Sequence, residues 1–135
     1  MAAIYIKGVY APFKKTDGFR VLVDRLWPRG LTTETLHVDA WMKELAPSPC
    51  LRIWFKHHPE KWQVFCNSYF TELKVYCDTA ALWHFCKEHK KITLLYASKN
   101  ESQNHALLLQ QYLNILQKKL PAKAGYSLLN YYYDR

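Results

Sequence analysis

The alternation of apolar and polar positions divides the chain into segments with distinct periods. Residues 3–10 carry Ile4, Ile6 and the β-branched Val9, which predicts a first strand. Pro12 and the Asp17-Gly18 pair punctuate the loop after it. Residues 19–24 are almost continuously apolar in their second half, the pattern of a strand buried on both faces. Residues 31–45 predict a short turn or helix with Trp41, Met42 and Leu45 inside, ended by Pro47. Ser48 followed by Pro49 reads as an N-cap and first helical position, opening a short helix through Phe55. After His58 and Pro59 the helical period returns. Trp62, Phe65, Cys66, Tyr69, Leu73 and Tyr76 fall three and four apart, one apolar stripe along a long helix. Asp78 is the next N-cap, with Leu82, Phe85, Cys86 and His89 on one side of its helix. Residues 92–97, ITLLYA, predict a third, core-buried strand. A polar loop, 98–102, leads to a last helix over 103–119, with Ala106, Leu109, Leu113, Leu116 and Leu120 inward and Pro121 as its stop.

Strand, strand, helices, strand, helix describes an α/β fold: a single small domain with a short, mostly parallel or mixed sheet covered by several helices. Its bounds are expected at 1–121, with 122–135 as a C-terminal extension without period. Only residues 11–18 separate the first two strands, whereas a parallel crossover usually needs a dozen residues or more. Either those strands pair antiparallel, or an irregular loop makes the crossing.

Composition narrows the class. The 135 residues suffice for one domain with a core, and half of them are apolar, which argues against disorder. Lys plus Arg is 19 against 11 Asp plus Glu, a formal charge of +8 that attracts anions. The opening MAAIYIKGVY lacks the pattern of a secretory leader, and no apolar run approaches the ~20 residues of a membrane span. A cytoplasmic protein is expected, without membrane partners and with reduced cysteines at 50, 66, 77 and 86. No Cys-x-x-Cys or His-x-x-x-His pair suggests a metal, and four glycines leave little room for a phosphate loop. No particular cofactor is implied. No nucleic-acid recognition motif is visible.

Two strand ends are chemically rich: DRLWPRG at 24–30 and YASKNESQNHA at 96–106. Ligands of open α/β sheets bind beyond the carboxyl ends of strands. If the second and third strands are parallel neighbours, the pooled side chains are Asp24, Arg25, Trp27, Arg29, Tyr96, Lys99, Asn104 and His105. Arg25 and Arg29 suit bidentate binding of a carboxylate or phosphate. Trp27 offers a face for a ring. Asn104 and His105 stand in the first turn of the last helix, where an anion is favoured. Asp24 suits a general base or an arginine holder, and His105 an acid or base near neutrality. Each also has an ordinary role: Asp24 in an ion pair, Pro28 to Gly30 in a turn, His105 as a helix cap.

GFRVLVDRLWPRG, ELAPSPCLRIWFKHHPEKWQVFCNSYFTEL and TLLYASKNESQNHALLL, spread over most of 4–116, resemble the YeaO-like branch of the domain-of-unknown-function 488 family. The resemblance implies a small cytosolic α/β domain and no particular activity. In wider relatives the third strand usually ends in cysteine and the last helix opens with Cys-His-Arg. Here those places read Tyr96 and Asn104-His105-Ala106, so a thiol mechanism is not expected. The resemblance carries over His105 with Asp24, Arg25, Pro28 and Arg29. It adds Ser48, Arg52, His58 and Trp62 as lining of the same crevice or as parts of the helical layer. Gly8 and Ala11 stand where many relatives place an arginine and an aspartate.

The leading expectation is a site for an anionic, ring-containing small molecule such as a nucleotide or its base. Any chemistry there would be proton transfer or hydrolysis through Asp24 and His105. The alternatives are a basic nucleic-acid-binding module and a non-catalytic interaction domain that uses the aromatic tail. The oligomeric state has no signature in the sequence.

Overall fold

A computed structural model describes residues 1–119. Leu120, Pro121 and the expected extension at 122–135 lie outside the described residues. Four strands form one sheet: β1 (Ala3–Gly8), β2 (Phe19–Leu22), β3 (Ala40–Trp41) and β4 (Lys91–Tyr96). Their order is β1-β4-β2-β3 and every pairing is parallel. The helices are α1 (Thr33–Leu36), α2 (Pro49–His57), α3 (Trp62–Tyr76), α4 (Thr79–Glu88) and α5 (His105–Lys119).

The open question of the first two strands is settled by β4, which lies between them. They are not neighbours, and the loop at 9–18, tightened by a 3₁₀ turn at Lys15–Asp17, runs back over one face of β4 from its Tyr96 end to its Ile92 end, where the Thr93 hydroxyl donates to the Asp17 carbonyl. The short β3 replaces part of the expected turn or helix at 31–45. Its Trp41 is 39% exposed and not inside, while Leu45 is buried as expected. The expected caps are present: the Ser48 side chain accepts the Leu51 N–H and Asp78 accepts the Ala81 N–H. The stripe along α3 is buried at Phe65, Cys66, Tyr69 and Leu73, but it stops there, since Tyr76 at the last position is 81% exposed.

The two faces of the sheet differ, as a side-chain period of two requires. Val21, Val23, Ile92, Leu94 and Tyr96 join the main core with residues of α2, α3, α4 and α5. Leu22 and Leu95 face the other way, into a smaller cluster with Val9 and Leu36, covered by α1 and loops. The outer edge of β1 is covered by α5. Gln110 Nε2 donates to the Ile4 carbonyl, and Gln117 both donates to the Ala2 carbonyl and accepts its N–H. Such cover prevents edge-to-edge pairing with another chain. None of the four cysteines is in a disulfide, and burial pushes the Cys86 thiol up to about 11.

Candidate functional site

Because β2 and β4 are adjacent and parallel, their carboxyl ends meet, and the two chemically rich segments meet with them. Asp24 follows the last β2 residues and is 4% exposed. Its Oδ2 accepts the Ala97 N–H at 2.9 Å, tying the exit of β2 to the exit of β4. Its backbone carbonyl accepts the Trp41 indole N–H at 2.7 Å. Asn104 is the N-cap of α5: its Oδ1 accepts the Leu107 N–H at 2.9 Å and its Nδ2 donates to the Asn100 carbonyl. The cap aims the first turn of α5 back at the end of β2. His105 in that turn donates from Nε2 to the Val23 carbonyl at 2.9 Å, with Asp24 Oδ1 at 3.2 Å. Tyr69 of α3 meets the His105 ring edge-on at 6.1 Å and donates its hydroxyl to the Leu45 carbonyl.

In front of Asp24 and His105 lies a cavity of about 140 Å³. Ser98, Gln103 and Asn104 close it on the β4–α5 side. Arg52 and Phe55 from α2, with Trp62 and Phe65 from α3, form the opposite wall, and Pro47 completes the lining. Phe55, Trp62 and Phe65 pack on one another with centroids 4.5 to 5.6 Å apart, so their apolar faces are held in place.

Burial holds the His105 imidazole below its ordinary 6.5, and the Arg52 charge pushes the same way. Asp24 and the Val23 carbonyl pull upward without overcoming the burial. The unfolded chain therefore takes up the proton more readily than the fold does. Stability contributed by the neutral ring is present above about 6.5 and is lost as pH falls towards the folded value. Melting temperature should thus drop more steeply from pH 7 to pH 5 in the wild type than in His105→Gln, whose amide can still donate to Val23. Equal slopes would show that His105 does not control this range.

The structure brings together only part of the set expected at the strand ends. Asp24, Asn104 and His105 line the cavity. Arg25 turns away: its Nη2 reaches the Ala46 and Pro47 carbonyls at 3.4 Å, and the residue lines a separate cavity with Glu44 and Glu72. Trp27 donates its indole N–H to the Leu31 carbonyl and packs edge-on against Trp41. Arg29 is exposed, and its carbonyl accepts the Tyr10 hydroxyl. Tyr96 is buried in the main core, and Lys99 is exposed on the loop. Of the residues added by the family resemblance, Arg52 and Trp62 line the cavity. Ser48 instead caps α2 and donates to Glu72, and His58 closes the end of α2, with its N–H on the Phe55 carbonyl. The residue reading missed Phe55 and Phe65. Their signal was the three-residue spacing of Arg52 with Phe55 and of Trp62 with Phe65, which puts each pair on one helical face.

Comparison with known proteins agrees with this fold-wide likeness. The uncharacterized protein YeaO of Escherichia coli is 40% identical over 113 residues, covering 84% of this chain and 98% of that protein. The uncharacterized proteins Mb3100c of Mycobacterium bovis and Rv3073c of Mycobacterium tuberculosis are each 37% identical over 113 residues, covering 82% of this chain and 93% of theirs. No solved structure matches. Among the described residues no helix is long and apolar enough to cross a membrane. A family model described as the inactive DUF488-N3 subclade matches residues 3–127, and the chain belongs to that family.

Proposed function

We propose that this chain is a binding domain for a small anionic, ring-containing molecule such as a nucleotide base or a related acid, and that it does not turn its ligand over. The observation that carries the reading is the cavity at the carboxyl ends of β2 and β4, which puts one arginine and three aromatic rings in front of the first turn of α5. Arg52 supplies a delocalised cation suited to a carboxylate or phosphate. The positive end of the α5 dipole favours the same charge. Phe55, Trp62 and Phe65 supply flat apolar surface for a ring. About 140 Å³ is below the ~300–1,000 Å³ that encloses a drug-sized ligand, so a single ring fits better than a large cofactor.

Binding without turnover accounts for the state of the polar groups. None of the described cysteines lines the cavity, so no thiol nucleophile stands there. His105 has its Nε2–H on Val23, and one oxygen of Asp24 is taken by the Ala97 N–H. Both side chains thus serve to hold the strand ends and α5 together. The description of the subclade as inactive agrees with this reading.

Thermal unfolding of the full-length protein, with a panel of monocyclic aromatic acids and mononucleotides at constant ionic strength, tests the proposal. A ligand at a hundred times its dissociation constant should stabilise by ~2.7 kcal/mol. Arg52→Ala should weaken that ligand about tenfold or more, on the scale of a charge-assisted hydrogen bond. Arg52 is exposed, so its loss should move the unliganded stability by no more than about 0.5 kcal/mol. If no member of the panel raises the melting temperature, or if Arg52→Ala binds as tightly as the wild type, the reading is wrong.

A further inference from the structure

We propose that the cavity takes up its anion together with a proton held on His105, so that affinity rises as pH falls. The inference rests on the reading above and adds the regulation of that site.

His105 is placed to respond to what the cavity holds. It lines the cavity from the first turn of α5 and keeps 12% of its side-chain surface accessible. Its Nε2–H is fixed on the Val23 carbonyl, so a second proton enters at Nδ1 and leaves that bond intact. Among the described residues, the charged groups of the lining are Asp24 and Arg52. Asp24, at the exit of β2, has Oδ1 3.2 Å from Nε2, and Arg52 stands on α2. From α3 the ring meets Tyr69, whose hydroxyl is held by the Leu45 carbonyl. The β4–α5 segment gives the lining only the neutral Ser98, Gln103 and Asn104 besides His105, while Lys99 and Glu101 are exposed outside it. Histidine is the side chain whose ordinary titration falls between pH 5 and 8, and among the described residues His105 is the one histidine in this lining.

With the cavity empty, the Arg52 charge and the positive end of α5 both disfavour a cation on this ring, and burial acts the same way. Together they outweigh the pull of Asp24. An anion on Arg52 cancels that cation's influence and adds an attraction of its own. The imidazolium then forms at a higher pH in the complex than in the free protein. A proton bound more tightly in the complex tightens the complex by the same factor. The gain is absent well above the midpoint of the complex and complete below that of the free protein. Ligand and imidazole need not touch, because charges couple over several ångströms in a site partly screened from water.

Titrations of the full-length protein with 2-furoate and benzenesulfonate, both ionised from pH 5 to pH 8, test this. Each should bind at least about fivefold more tightly at pH 5 than at pH 8, the low end of couplings between sites. The neutral 2-furamide should show no such gain, and an equal gain would sink the charge coupling. The pH dependence should vanish in His105→Gln, whose amide can still donate to Val23. It should persist in His58→Gln, since the His58 ring sits by the Trp54 carbonyl and does not line the cavity. Should His105→Gln fail to fold, the His105 imidazole resonances of the wild type decide instead: saturating 2-furoate should raise their titration midpoint. A flat profile in wild type, an unchanged one in His105→Gln, or a midpoint that stays in place would overturn the inference. If Arg52→Met still weakens both acids in that case, the anion site stands without the proton. If neither acid binds wild type at any pH, the inference and the reading beneath it both fall.

Discussion

Replacing Arg20 by alanine is expected to cost about 3–5 kcal/mol of stability, the scale on which loss of one partner from a buried ion pair is felt. Arg20 is 1% exposed, on the face of the sheet covered by α1 and the 9–18 loop. Its Nη1 donates to Asp17, its Nη2 to the Leu36 carbonyl at 2.8 Å and its Nε to the His37 carbonyl at 3.2 Å. Its guanidinium also lies 5.2 Å from the centre of the Phe13 ring. Truncation strands two carbonyls and leaves Asp17 with Lys7 as its remaining cation, at 2.9 Å. The same cluster sets an acid limit on the fold. Burial of Asp17 opposes ionisation, but hydrogen bonds from Lys7, the Lys14 N–H and Arg20 outweigh it and hold the carboxyl below its ordinary 3.8. A depressed carboxylate contributes stability that is present above about 3.8 and is lost as pH falls through the folded value. Urea unfolding should therefore show a wild-type loss below about pH 3.8 that is smaller in Arg20→Ala, where less support for the carboxylate remains. A cost under about 1 kcal/mol at pH 7 would put the cluster on the scale of a surface pair.

Gly18→Ala should cost about 3 kcal/mol, the upper end for a residue forced into a sparsely populated backbone region. Gly18 has φ 71° and ψ −140°, and an added Cβ would lie 2.5 Å from the Lys91 carbonyl oxygen and 2.8 Å from the Lys91 Cβ. The neighbour is strand backbone, paired with Ala3 in β1 and joined directly to Ile92 opposite Phe19, so it cannot step aside without disturbing both pairings. Gly30 is the control: it has φ 77°, but nothing lies within 4 Å of its Cβ position. Gly30→Ala should cost only the left-handed penalty of ~1–2 kcal/mol. The difference between the two variants in chemical denaturation measures the close approach of β2 to β4. Equal costs would mean that the approach contributes nothing. The same approach positions Asp24 against Ala97, so Gly18→Ala should also weaken any ligand that the cavity holds.

These effects mark where the sequence could be read and where it could not. Strand and helix periods at 3–10, 62–76 and 92–97, and the caps at Ser48 and Asp78, depend on residues a few positions apart. They were legible for that reason. The likeness of DRLWPRG and its companion segments to a known family was legible as well. Arg20 was not. In the sequence it is a cation inside a strand, and only its pairing with Asp17 and two carbonyls on the covered face makes it buried.

The candidate site divides along the same line. The sequence by itself determined that two polar segments end buried strands and that His105 opens a helix. The tertiary structure decided that β4 runs between β1 and β2, which makes those ends adjacent. It also decided which side chains share the cavity. Asp24 and Arg25 are consecutive, yet one turns towards α5 and the other towards the 46–47 carbonyls, because the chain leaves the sheet just after Leu22. The cation in the cavity is Arg52, far away along the chain, and the rings come from α2 and α3. Local period reports which face of an element is apolar. It carries no information about which distant element covers that face, since this depends on packing between residues that the sequence separates.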